Sequence, residues 1–301
     1  MALNAAAGLK LDTILNKAAR ALGKRLSPVL ALSTVMRDQM LTETDKVKVP
    51  FYSLETLASK DFDGSYSFAG ADGGPGSSKD VTVNKRKYQA LEFTSKELRR
   101  NSVVDLNRVL ALKVEKLGED VLNDIWSLVT LANFGAAIFT GAASAFDRDD
   151  AVDIKTGCSQ ANWPSAARSL VLESAYTGAL AKDLNAVDTQ DGDNVRREGS
   201  IGRTAGFDVF EHPNMPENDE HLVGCAILPF SILTAFSPIE PADEVRDNLS
   251  DYRIYTDPAT GISLEYRSWG DPDSDKAKRV VEVNYGYALG DAAQLKRLVS
   301  Q

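Results

Sequence analysis

Two stretches of the chain hold the residue types that chemistry needs. "REGSIGRTAGFDVFEHPNMP" (197–216) sets Gly199, Gly202 and Gly206 beside Arg197 and Arg203, a composition suited to a loop that cradles phosphate. A dinucleotide fingerprint requires G-x-G-x-x-G after a strand and at the opening of a helix, so that backbone amides approach the pyrophosphate. Here the glycines run G-x-x-G-x-x-x-G, and "FDVF" follows with the alternation of a strand. No G-x-x-x-x-G-K-S/T occurs anywhere in the chain. Glycine at this spacing reads as a tight turn.

The second stretch, "EHPNMPENDEH", contains both histidines, His212 and His221, among Glu211, Glu217, Asp219 and Glu220. Their separation, through two prolines, matches neither a helical H-x-x-x-H pair nor a finger spacing, so a solvated acidic loop is the better reading. "DTQDGDN" lacks the sixth-position glycine and twelfth-position glutamate of an EF-hand. There is no G-x-S-x-G elbow, and neither cysteine has a histidine close in sequence. The expectation is a protein with no catalytic, cofactor-binding or metal-binding residues, and so not an enzyme.

Composition narrows the classes further. A chain of 301 residues holds about two domains with a sizeable core. The net charge of −9 argues against a protein dedicated to coating nucleic acid. Cys158 and Cys225, far apart and without a C-x-x-C, make no disulfide framework and suit a reducing compartment. The N-terminus has no apolar run of signal-peptide length. The greasiest stretch, "VGCAILPFSILTAF" (223–236), is too short for a membrane span and is broken by Pro229. These features predict a soluble, intracellular chain.

The elements that would position any site follow from periodicity. Residues 9–26 read as an amphipathic helix, with Leu11, Ile14, Leu15, Ala18 and Leu22 on one face and Lys10, Lys17, Arg20 and Lys24 opposite. The first 25 residues carry a net +4 in an acidic chain, which fits a face for nucleic acid or an acidic partner, and equally an ordinary solvated helix face. "GSYSFAGADGGPGSS" (64–78) is a glycine- and serine-rich loop between "VPFYSLETL" and the alternating "DVTVNKRKYQALEF", so residues 50–93 read as one long hairpin with a mobile tip. Thr94 and Glu97 form a capping box. From there Val103, Leu106, Leu110, Val114, Leu117, Val121, Ile125 and Leu128 predict a helix over 95–132, roughly 57 Å long.

Residues 136–164 look irregular. "SLVL" reads as a strand running into a helix, "LVGCAILPFSILTAF" as a strand followed by a helix, and "DYRIYTDPATGISLEYRSWGD" as a hairpin turning at "DPATG". The end, "KRVVEVNYGYALGDAAQLKRLVSQ", reads as a strand, a glycine turn and a short terminal segment. The class is α+β, without an internal repeat.

That order of elements (basic arm, glycine-tipped hairpin, very long helix, α+β body) resembles the major capsid proteins of tailed bacteriophages, the HK97-type capsid fold. "G-x-x-G-x-x-x-G-F-x-V" with its trailing "N-M-P", "RSLVLESAYTGALAKD" and "VVEVNYGYALGDAAQLKRLV" are similar to axial-domain segments of that family. The resemblance implies an N-terminal arm over 1–49, an E-loop over 50–93, a peripheral domain over 94–163 with spine helix 95–132, an axial domain over 164–275, and a C-terminal strand, 276–301, returning to the body.

It also implies a virion protein, assembled in the host cytoplasm, that self-assembles as pentamers and hexamers into an icosahedral head around double-stranded DNA. The implied partners are copies of itself, a scaffolding protein, portal and decoration proteins, and packaged DNA through non-specific contact, with no membrane. On this reading Gly199, Gly202 and Gly206 shape a turn. Lys10, Lys17, Arg20 and Lys24 face the interior. Lys85, Arg86 and Lys87 contact an adjacent subunit near Glu115 and Glu119. An encapsulin-like compartment enclosing protein cargo and a soluble two-domain enzyme are the alternatives.

Overall fold

The computed structural model describes residues 15–22, 26, 33–36, 46–52, 61–65, 76–100, 103–186, 201–213, 215–257, 260 and 262–301. Its organising element is helix α3 (Val103–Trp126), which the sequence marks by apolar residues every three or four positions. Leu110, Val114, Leu117, Val121, Leu122 and Ile125 are buried along one stripe of it. A shorter helix, α1 (15–22), adds buried Leu15, Ala18, Ala19 and Leu22 to the same core. Helix α2 (Ser95–Arg100) precedes α3, and residues 101–102 between them lie outside the described set.

The first sheet contains β1 (Ser33–Met36), β4 (Lys85–Thr94), β10 (Ile232–Phe236), β11 (Asp251–Thr256), β12 (Ser263–Asp271) and β13 (Lys276–Leu289). Strand β13 is its spine. It pairs antiparallel with β4 from Lys276 to Tyr285, with β12 from Lys276 to Glu282, and with β10 from Tyr285 to Leu289. Alternation along β13 sends Val281, Val283 and Tyr285 inward to the α3 core, while Glu282 and Asn284 lie on the outer face. A two-stranded hairpin, β2 (Lys46–Tyr52) with β3 (Gly76–Thr82), packs Val47, Val49 and Val81 on Leu233 and Ala235 of β10. The chain from β3 to β4 then crosses β13 at Gly286, where any Cβ would run into the carbonyl oxygen of Thr82. Only glycine permits that crossing.

The second sheet has the order β5 (Phe139–Thr140), β14 (Leu295–Val299), β9 (Leu222–Ile227), β6 (Ser169–Glu173), β8 (Phe207–His212) and β7 (Arg203–Thr204). Both its faces are covered. Leu170, Leu172, Val223 and Ala226 face helices α4 (Arg148–Gln160) and α5 (Ser174–Ala186), whereas Val171, Leu222, Cys225 and Ile227 join the α3 core. Double burial explains the unbroken apolar run of β9.

The structure corrects several expectations. The helix expected over 95–132 ends at Trp126, and Thr130 caps a new single turn, Leu131–Phe134, by accepting from the Asn133 amide. "LVGCAILPFSILTAF" is two strands, β9 and β10, in different sheets, because a short apolar run buried on both faces carries no period to separate strand from helix. The stretch 136–164, expected to be irregular, contains α4, started by Asp147, whose carboxylate accepts from the amides of Asp149 and Asp150. The hairpin expected over 50–93 is replaced by β2 with β3, and β4 leaves it to join the first sheet. The strands of the two sheets alternate along the chain. Residues 169–227 build most of the second sheet, 232–271 belong to the first, and 276–299 supply a strand to each. The hairpin at 251–271 is present as β11 and β12.

Candidate functional site

The outer face of the first sheet gathers charge that the sequence scatters over some two hundred positions. Register places Arg86 of β4, Glu282 and Asn284 of β13, and Glu265 and Arg267 of β12 side by side on it. Arg267 Nε lies 2.5 Å from Glu282 Oε1, and Arg267 Nη2 lies 3.1 Å from Glu265 Oε2. Arg86 Nε donates to the other Glu282 oxygen at 2.7 Å. The second Glu265 oxygen accepts from the Ile239 amide at 2.9 Å and from the Asn284 side chain. Glu265 and Glu282 are each 1% exposed, so these charges persist inside the protein because each carboxylate meets a guanidinium. Burial and the neighbouring Glu265 push the Tyr252 hydroxyl well above the ordinary tyrosine range, keeping it a neutral donor to that carboxylate.

Beside this network is a groove of about 410 Å³. Its floor is Trp269, Val280 and Arg267, and its wall is Val245 and Leu249 from the single helical turn Asp243–Arg246 and the residues after it. Val245 is 48% exposed, and the Arg86 side chain, at 46%, stands at the rim. The chemistry available is recognition: apolar contact framed by fixed charges.

The inner face holds the other two basic residues of "KRK". Lys87 Nζ lies 2.8 Å from Asp124 of α3 and donates to the Asp120 carbonyl at 2.7 Å. Lys85 Nζ is 3.8 Å from Asp124 and 4.2 Å from the centre of the Tyr287 ring. Burial raises the Asp124 pKa, but hydrogen bonds from Lys87 and Tyr285 and the charges of Lys87 and Lys85 outweigh it and hold the carboxyl below its ordinary value. Within one chain, then, Lys85 and Lys87 are engaged by their own subunit. Strand alternation turns them onto their own helix, where Asp124, rather than Glu115 or Glu119, receives them. Glu115 is exposed, and Glu119 lies 3.4 Å from Lys116.

The other singled-out residues are placed as follows. Lys17 and Arg20 are exposed on α1, while Lys10 and Lys24 lie outside the described residues. Gly206 (φ 83°) and Ala205 (φ 47°) form the two-residue turn between β7 and β8; Gly202 precedes β7, and Gly199 lies outside the described residues. The Thr94 amide donates to Glu97 Oε2 at 2.8 Å, and the Glu97 amide donates to Thr94 Oγ1 at 3.3 Å. His212 is buried, its Nε2 3.0 Å from Asn123 Oδ1, and His221 is exposed. Among the described residues no three His, Cys, Asp or Glu side chains group to hold a metal, and no helix is long and apolar enough to cross a membrane. Cys158 and Cys225 are buried, and burial pushes both thiols up, Cys158 to about 11.

The acidic loop between the histidines has a structural task that its sequence did not reveal. Asn218 Nδ2 donates to the carbonyls of Trp126 and Val129, both at 2.9 Å, and Glu220 accepts from the Leu131 amide at 2.7 Å. The only signal for it in the sequence was an asparagine two residues after a proline, which names no partner.

No protein-family model matches the sequence, and no curated protein matches it. Solved structures do match. The capsid structure of the cyanophage P-SCSP1u aligns with a TM-score of 0.56 at 12% identity, over 89% of this chain and 86% of that one. A chain from Mycobacterium phage Che8 aligns with a TM-score of 0.53 at 17% identity, over 85% of each. The mature capsid of bacteriophage PhiM1 aligns with a TM-score of 0.50 at 10% identity, over 90% and 85%. The two sheets joined by α3 thus form an architecture shared nearly end to end, and the fold of this chain is that of bacteriophage capsid proteins.

Proposed function

We propose that this chain is a major capsid protein, the subunit of an icosahedral shell that encloses double-stranded DNA. The observation that carries the reading is the extent of the structural match, which spans 89% and 90% of this chain in the two capsid structures above and 85% in the Che8 chain. A fold alone does not specify function. Here the surface chemistry adds support: the developed features are a charged network and a recognition groove, the equipment of a protein that binds other proteins.

On this reading α3 is the spine helix and the β2–β3 hairpin the base of the E-loop. Lys10, Lys17, Arg20 and Lys24 face the shell interior, where they meet packaged DNA or an acidic scaffold, contacts that weaken as salt rises because counterions are released on binding. Assembly proceeds in the host cytoplasm with scaffolding, portal and decoration proteins, and the product is the virion.

Electron microscopy of the expressed chain, alone and with a co-expressed scaffold, tests the proposal. Closed shells are expected; stable monomers under every condition of salt, concentration and scaffold would reject it. Shells that hold protein and no nucleic acid, by ultraviolet spectrum, would favour the encapsulin-like alternative. Charge reversal at the four N-terminal cations is expected to impair packaging.

A further inference from the structure

We infer that the groove on the outer face of the first sheet receives helix α3 of a second copy of this chain. The inference rests on the capsid reading and adds to it a specific subunit contact. Its first support is an exposed apolar pair on α3: Val109 is 37% exposed and Leu112 is 59% exposed, one helical turn apart on the same side. The next turn of that side carries Glu115 and Lys116, both exposed. The groove offers the complement, with Val245, Leu249, Trp269 and Val280 as apolar lining between Arg86 on the strand side and Glu244 on the helical side. Leu112 and Val109 fill the lining, Glu115 meets Arg86, and Lys116 meets Glu244.

Arg86 is suited to that pairing. Its Nε and Nη2 are held by Glu282, so the guanidinium is fixed in place while nearly half of the side chain remains open to a second carboxylate. The contact cannot form within one chain. Helix α3 packs its buried stripe on the inner face of the sheet, through Leu91, Val281, Val283 and Tyr285, and the groove lies on the outer face. A patch that fits a different patch on the next copy is a heterologous contact, which propagates from subunit to subunit and makes a ring where the rotation closes.

The test is a cysteine pair, Leu112→Cys with Val245→Cys, at two exposed positions in a chain whose native thiols are buried. Oxidised particles are expected to give a disulfide-linked ladder extending beyond dimers on denaturing gels, with neither single variant doing so. Particles that form but give no ladder, or linkage that stops at the dimer, would overturn this contact and leave the capsid reading standing. Absence of particles from the unmodified chain would overturn both. Leu112→Glu provides a second readout: with an unchanged melting curve, its assembled fraction should fall at least about tenfold, a loss of roughly 1.4 kcal/mol. Unchanged assembly would overturn the contact.

Discussion

Asn218 donates its side-chain amide to the carbonyl of Trp126, the last residue of α3, at 2.9 Å, and a second N–H reaches Val129. A loop some ninety residues away in sequence thus binds the end of the central helix, adding a donor to the Trp126 carbonyl, which also accepts from the Val129 amide, and giving one to the Val129 carbonyl. Asn218 sits at φ 53°, a conformation that asparagine and aspartate tolerate better than most residues. Asn218→Asp keeps the shape and the backbone but turns two donors into acceptors facing carbonyls, at a helix end that already disfavours negative charge. A loss of about 1–3 kcal/mol is expected by urea denaturation, with faster amide exchange in the last turn of α3.

Asp124 joins β4 and β13 to α3, and its carboxyl is held below its ordinary value. A depressed folded-state pKa contributes stability that is full above the unfolded value of about 3.9 and is lost as pH falls through the lower folded value. Asp124→Asn should therefore cost about 1–2 kcal/mol at pH 7. The gap between parent and variant should narrow as pH drops below about 4. Denaturation midpoints measured from pH 7 to pH 2.5 check this, and a gap independent of pH would refute the assignment.

Glu282 serves two guanidiniums at once, those of Arg86 and Arg267. Glu282→Leu takes the carboxylate from Arg86 and leaves Arg267, 9% exposed, with Glu265 alone, and about 3–5 kcal/mol of stability should be lost. Arg267→Met breaks a contact that Glu282→Leu has already broken, so the double variant should lose less than the sum of the two single losses. Additive losses in a double-mutant cycle would contradict the shared carboxylate.

Thr94→Ala removes the oxygen that accepts from the Glu97 amide and should cost about 1 kcal/mol. Glu97→Gln keeps a side-chain acceptor for the Thr94 amide and should cost less. Thermal melting of the two variants compares them directly.

Local signals were legible where partners lie close in sequence. The Thr94–Glu97 box, the stripe of α3 from Leu110 to Ile125, and the β11–β12 hairpin all depend on neighbours within a few residues or on a clear period. Asp147 with Asp150 was equally local, and a capping box closed by aspartate instead of glutamate was the readable sign of α4. Helix α3 was expected to run past Leu128 because the apolar spacing continues there, yet spacing carries no information about the Asn218 cap. Strand β10 was misjudged for a different reason: Ile232 and Phe236 face one core and Leu233 and Ala235 another, so no polar face marks the period.

By itself the sequence determined the α+β class, the central helix, the order of the segments and the absence of a recognisable catalytic motif, because these follow from local propensity, periodicity and residue type. The tertiary structure decided which charges meet. Strand pairing brings Arg86 to Glu282 across 196 positions and, by alternation, turns Lys85 and Lys87 away from it onto Asp124. The face on which a strand residue falls is set by a register that hydrogen bonds between distant segments create, and a one-residue slip would exchange the network on the outer face for the one against α3.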